Sequence, residues 1–147
     1  MVEKRNLLTG TRERPGDVLV AAWQQGRRWA FDFMVTSPVA AAARHRASQQ
    51  DGHAARQGEQ QKLAKYADKC READLGFSPI VVETFGRWGQ QAMSIFLHLS
   101  TLLAVGSGTR AADQSRWMYQ RHSILLQQHN ARMLLARKPA VMPTIFL

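Results

Sequence analysis

The sequence has one cysteine, Cys70, which excludes a disulfide within the chain and any multi-thiolate metal site. It has no long apolar run. The most apolar stretch, residues 92–105, is interrupted by His98, Ser100 and Thr101. It falls short of the roughly 20 residues that cross a bilayer, so a buried or half-buried helix is expected there. Residues 1–10 hold no apolar core of the kind a secretory signal requires, and the chain is expected to be soluble, intracellular and not secreted. His45, His53, His98, His122 and His129 show no zinc-ligand spacing. Gly106-Ser107-Gly108-Thr109 lacks the Lys-Ser/Thr pair of a phosphate-binding loop. No internal repeat is visible. Acidic residues are scarce in one half only: residues 75–147 carry Glu83 and Asp113 against 7 bases, whereas residues 1–74 carry 9 acids against 13 bases.

What is present is a 147-residue chain, 45% apolar, with a formal net charge of +9. That length suits one small globular domain with a modest core. The basic balance implies an anionic partner, with nucleic acid ahead of a membrane surface.

Arg14-Pro15-Gly16 is a turn signal, and residues 17–23 after it form an apolar, strand-like run. Residues 24–27 suit a hairpin turn, and residues 29–36, aromatic and β-branched, a second strand. The Ala-rich residues 39–47 are expected to be helical and residues 49–58, with two glycines, a loop. Residues 59–73 are good helix formers, with Leu63, Tyr66, Ala67 and Cys70 as the buried stripe. Residues 77–85 suit a third strand, 86–89 a turn, 90–105 a helix and 106–108 a loop. Asp113 is expected to cap a last helix running to about 137, buried along Trp117, Ile124, Ala131 and Leu135. The order β-β-α-β-α-α describes an α/β fold: a small mixed β-sheet flanked by helices, with a C-terminal helical extension. Residues 1–90 form the expected core and residues 91–147 the basic extension packed on it, with an irregular tail from about 138.

Two acids stand inside apolar strands, where a carboxylate is costly unless something pairs with it: Asp17 and Asp32. An even-length turn sets them on one face: a two-residue turn at Gln24-Gln25 places them directly opposite, roughly 5 Å apart at Cβ, and one centred a residue later makes them diagonal neighbours, whereas an odd-length turn puts them on opposite faces. Val18, Val20, Phe31, Phe33 and Val35 then point the other way, into a core. Two carboxylates so placed repel unless a cation or proton lies between them. Mg²⁺ is commonly held by one or two carboxylates together with phosphate oxygens. The plainer alternative pairs Asp17 with a base such as Arg14, and Asp32 with another. Lys62, Lys65 and Tyr66 share one side of the following helix, directed either at the acids or at solvent. Glu83 either lines the site or, the favoured reading, pairs with Arg87. Cys70 is expected to be a buried thiol, and Trp88 and Trp117 core residues.

The runs Arg14-Pro15-Gly16-Asp17-Val18-Leu19-Val20, Gly26-Arg27, Phe31-Asp32-Phe33-Met34-Val35-Thr36-Ser37-Pro38, Lys62-Leu63-Ala64-Lys65-Tyr66 and Pro79-Ile80-Val81-Val82-Glu83-Thr84-Phe85-Gly86 form a pattern. Together they resemble the restriction-endonuclease-like domain of non-LTR retrotransposon polyproteins, within the PD-(D/E)xK nuclease superfamily. The resemblance spans roughly residues 2–90. It implies a restriction-endonuclease-like core and Mg²⁺- or Mn²⁺-dependent DNA cleavage. Asp17 and Asp32 become metal ligands, with Glu3 matching an earlier acid. Lys62 or Lys65 becomes the catalytic lysine, moved from the strand to the helix, and Tyr66 a supporting residue. The chain departs from the pattern in three places. Gly16 stands for the proline before the first acid, Met34 stands where the usual lysine would be, and the first helix of the family core is expected to be missing. The resemblance also implies an upstream reverse transcriptase in full-length relatives and nuclear location for a eukaryotic product. Arg14, Arg27, Arg121 and Arg132 are the expected nucleic-acid contacts; Arg121 and Arg132 are about three helical turns apart. The alternative function is a catalytically inactive, basic nucleic-acid-binding or interaction module on the same fold.

Overall fold

A computed structural model describes Leu8 and residues 14–136. Its elements are β1 (Val18–Val20), β2 (Trp29–Thr36), α1 (Arg44–Ala47), α2 (His53–Glu72), β3 (Gly76–Glu83), α3 (Gln90–Ser107) and α4 (Ala111–Leu135), with a single 3₁₀ turn at Gln24–Gly26. The fold is the expected mixed α/β arrangement. The sheet has order β1-β2-β3, with β1 antiparallel and β3 parallel to β2. A parallel neighbour requires a crossover, and α2 supplies it.

The alternation of β2 and β3 assigns each residue to a face. Ala30, Phe77 and Val81 face α2; Phe31 and Ile80 face α3. Two apolar clusters result. Leu8, Ala30, Tyr66, Cys70 and Leu75 are buried on the α2 side. Phe31, Ile80, Ala92 and Ile95 are buried on the α3 side, with Trp23, Trp29 and Trp88 packed against them. Both sheet faces are covered, as the doubly apolar strands imply. α4 packs on α3, outside the sheet.

α2 has no β-branched residue in its twenty positions, which favours a long helix. It starts at His53 and absorbs Gly58, so most of the loop expected over 49–58 is helix. Close packing explains the glycine: a Cβ there would lie 3.1 Å from Val81 Cγ1 and 3.3 Å from Met34 Sδ. The helix ends where Asp74 turns to φ +49° and the Leu75 amide returns to the Cys70 carbonyl. This is a left-handed cap with Leu75 and Cys70 in one cluster.

Several expectations are corrected. The Ala-rich segment is helical only over Arg44–Ala47, with turns before it. Phe33 and Val35 are exposed, because β1 pairs no further along β2 than Phe31 and the α3-side core ends there. Gly106 and Ser107 are helical, and left-handed Gly108 ends α3. Arg110, not Asp113, is the N-cap of α4; Asp113 lies in the first turn and pairs with Arg110 at 2.8 Å. The face that α4 packs is the opposite of the expected one. Met118 is its buried residue, whereas Trp117, Ile124 and Leu135 are exposed. Both faces are apolar, so composition did not distinguish them. Packing on α3 selects the Met118 side, where His122 and Phe96 rings lie 5.2 Å apart.

Candidate functional site

β1 and β2 pair with Val18 opposite Phe31 and Val20 opposite Trp29. Extending that register one step sets Asp17 against Asp32, as the hairpin arithmetic requires. The turn is wider than two residues: pairing stops at Val20 and Trp29, and the 3₁₀ turn fills the middle. The chain bends at Asp17. Its amide donates to the Phe31 carbonyl at 2.8 Å, and its Oδ2 accepts the Phe33 amide at 2.8 Å. The exposed Asp17 carboxylate thus lies beside the peptide unit that follows Asp32. Gly16 permits the approach, since a Cβ there would stand 2.8 Å from the Phe31 carbonyl oxygen. Any other residue at this position would bring that Cβ.

Asp32 is buried, 7% exposed, on the α2 face of the central strand. Lys62 Nζ lies 2.7 Å from its Oδ2. The contact is an ion pair by distance, but its direction is poor for a hydrogen bond, and Oδ2 has no hydrogen-bond partner and essentially no exposed area. α2 places Lys62 there through the same face that carries Gly58 against Val81 and Tyr66 against Phe77. Of the two candidate lysines, Lys62 is the one aimed at the acid. Lys65 is exposed, with Nζ 4.8 Å from the Tyr66 ring centroid. Lys62 Nζ is 6.0 Å from the same centroid. Tyr66 is buried, so it forms an aromatic floor near both ammonium groups as well as part of the core.

Glu3 lies outside the described residues. Among the described residues, no group of three or more His, Cys, Asp or Glu side chains could hold a metal ion. Asp17 and Asp32 are the two carboxylates that the resemblance would have hold a divalent ion, its remaining ligands being water and phosphate oxygens. The buried Asp32 Oδ2, which has no hydrogen bond, already has the Lys62 ammonium 2.7 Å away.

The expected nucleic-acid contacts do not converge. Arg14 is exposed on the segment leading to Asp17. Arg27 holds Asp74 at 3.2 Å, tying the hairpin loop to the end of α2. Arg121 and Arg132 are exposed on α4, the former 5.4 Å from the Trp117 ring centroid. Arg121 and Arg132 belong to α4, which packs on α3, whereas Lys62 belongs to α2 on the other face of the sheet.

Two buried acids have roles outside the sequence reading. α2 and α3 both start at glycine caps, Gly52 and Gly89, and neither has an acid in its first turn. Glu83 Oε1 accepts the Ala55 amide at 3.0 Å, and Glu59 Oε1 accepts the Gln91 amide at 2.8 Å. Each supplies across the fold the anionic cap its target helix lacks. Glu83 is thus not paired with Arg87, whose guanidinium meets Asp51 at 3.1 Å. The isolation of Glu83 in the acid-poor half was a usable signal; Glu59 gave none. Near these helix starts lies a cavity of about 210 Å³, bounded by Gly52, Arg56, Glu59, Arg87, Trp88 and Gln90. Its lining does not include the acid pair. Cys70 is fully buried, and burial pushes its thiol up to about 11. A thiol so raised is a poor nucleophile at neutral pH. No helix among the described residues is long and apolar enough to cross a membrane. Comparison with protein families, curated proteins and solved structures finds no match for this chain.

Proposed function

We propose that this chain is a metal-dependent DNA endonuclease domain of retroelement origin, with Asp17, Asp32 and Lys62 as its reacting centre. The observation that carries the reading is the 2.7 Å approach of Lys62 Nζ to Asp32, beside the strand pair that brings Asp17 alongside. A lysine that has moved from strand to helix is useful only if the helix returns it to the acid, and α2 does so.

Asp17 and Asp32 would hold Mg²⁺ or Mn²⁺, which when bound lowers the pKa of water and neutralises charge on a phosphodiester. Asp17 is exposed, and its bond to the Phe33 amide fixes its orientation. Asp32 presents its carboxylate from a rigid central strand. The Lys62 ammonium supplies a mobile positive charge for the non-bridging phosphate oxygens. Tyr66 limits where that ammonium can move.

The test is cleavage of supercoiled DNA with Mg²⁺ or Mn²⁺ by the wild type, Asp17→Asn, Asp32→Asn and Lys62→Met. Wild-type nicking that falls at least about a hundredfold in each variant supports the assignment. Nicking that persists in both aspartate variants refutes it. A second reading, an inactive basic binding module, is favoured by the exposure of Arg121 and Arg132 on α4, a different helix from the one that carries Lys62. It predicts salt-dependent DNA binding with no cleavage and no response to Asp32→Asn.

A further inference from the structure

α4 has two apolar faces, and α3 covers one of them. The covered face carries Met118 and His122. On the other, Trp117, Ile124 and Ala131 recur every seven residues, close to two helical turns, and Leu135 extends the row. Trp117 is 52% exposed, Ile124 59% and Leu135 85%. The outer side of a surface helix is ordinarily polar, and a helix apolar on both sides is one covered on both sides. From Trp117 to Leu135 the row runs about 27 Å, enough for a second helix to lie along it.

The charges beside the row have one sign. Arg121 and Arg132 are exposed on the same outer side. α4 contains no Lys or Glu, and its one acid, Asp113, is held by Arg110 at 2.8 Å. The Arg121 guanidinium stands 5.4 Å from the Trp117 ring centroid, so ring and charge are presented together. Aromatic residues and Arg where Lys, Glu and Asp are depleted make the composition of a protein–protein contact. A nucleic acid would be met through its phosphates, for which Ile124, Ala131 and Leu135 have no donor. A second α4 would set arginine against arginine.

We propose that the outer face of α4 docks an acidic amphipathic helix of another protein. The partner's apolar residues lie along Trp117, Ile124 and Leu135, and its carboxylates meet Arg121 and Arg132. The apolar row supplies the contact, and the two arginines select the sign of the partner's charge. This docking is independent of any DNA cleavage at Asp17, Asp32 and Lys62.

The experiment titrates the intact chain with a synthetic helical peptide of about three heptads, Leu at its a and d positions and Glu at e and g. A second peptide has Lys in place of every Glu. Single-stranded DNA and phosphatidylserine-containing vesicles are the competing probes. Calorimetry measures binding, and hydroxyl-radical footprinting with mass spectrometry reads the shielding of Trp117 and Ile124. The Glu peptide is expected to bind at least about tenfold more tightly than the Lys peptide and to shield both residues. Trp117→Ala is expected to weaken it at least about tenfold. The Arg121→Glu, Arg132→Glu double variant, its fold verified by circular dichroism, is expected to prefer the Lys peptide, which an indiscriminate apolar face would not do. No binding of the Glu peptide, equal binding of the two peptides, or a preference that the double variant does not reverse overturns the proposal. Stronger shielding of Trp117 by DNA or by vesicles than by the Glu peptide also overturns it, and makes the partner a nucleic acid or a membrane. Trp117 shielded in the chain alone overturns it too: the face then belongs to a second copy if the chain is dimeric, and to the chain's own residues if it is monomeric.

Discussion

Replacing Glu83 tests whether α2 is held by an acid from outside itself. The Ala55 amide it receives belongs to a fully buried residue in the first turn, where backbone N–H groups have no partner within the helix. Glu83→Ala leaves that amide unsatisfied, which costs about 1–3 kcal/mol. It also removes a negative charge from a partly buried helix N-terminus, worth up to about 2 kcal/mol. The two losses overlap, so we expect a total near 3 kcal/mol. Glu83→Gln keeps an acceptor oxygen and loses only the charge, and about 1 kcal/mol is expected. With an m-value of about 1.5 kcal/mol/M, the alanine variant unfolds at roughly 2 M lower urea and the glutamine variant at roughly 0.7 M lower. Hydrogen exchange at the Ala55 amide reports the same bond locally and should lose protection in the alanine variant. A midpoint for Glu83→Ala within about 0.3 M of wild type would show that water or another residue caps α2. Equal losses in both variants would show that charge, not the hydrogen bond, is decisive.

Gly76→Ala places a Cβ against the Trp29 ring, its cross-strand neighbour, and should destabilise by about 1–3 kcal/mol in the same urea assay; a neutral result would mean that the ring moves freely. Cys70 has its thiol pKa raised by burial to about 11 from an ordinary 9.0. A group raised in the folded state gives its stability below the unfolded pKa and loses it as pH rises through the folded one. Wild type should therefore lose about 2–3 kcal/mol relative to Cys70→Ala between pH 9 and pH 11, and parallel pH profiles would contradict this. If α4 contacts nucleic acid, the Arg121→Ala, Arg132→Ala double variant should lower the slope of log affinity against log salt by about 2, whereas an unchanged slope places the contact elsewhere.

Much of the architecture was legible in the chain. β2 begins and ends at Trp29 and Thr36 because the aromatic and β-branched run is bounded by turn residues on one side and Ser37-Pro38 on the other. A shared face for Asp17 and Asp32 was legible as one of two outcomes, since an even-length turn gives it and an odd-length turn removes it. Lys62 and Tyr66 fall on one helix face by the same local arithmetic. Some boundaries failed for local reasons. Gly58 suggested a loop, but its packing under Met34 and Val81 outweighs the modest helix cost of a glycine. α4 is apolar on two faces, so periodicity offered two solutions and contact with α3 selected one.

The sequence by itself determined the period of each element, the one helix side shared by Lys62, Lys65 and Tyr66, and the charge asymmetry between the halves. These follow from backbone geometry that repeats every 2 or 3.6 residues, whatever surrounds it. Tertiary structure alone decided that Lys62 rather than Lys65 meets Asp32, that Glu83 and Glu59 cap helices 28 and 32 residues distant, and that α4 buries its Met118 side. Each of these depends on how separate elements are docked. The docking is fixed by burial of both sheet faces and by the need to satisfy helix-end amides, neither of which has a fixed spacing along the chain.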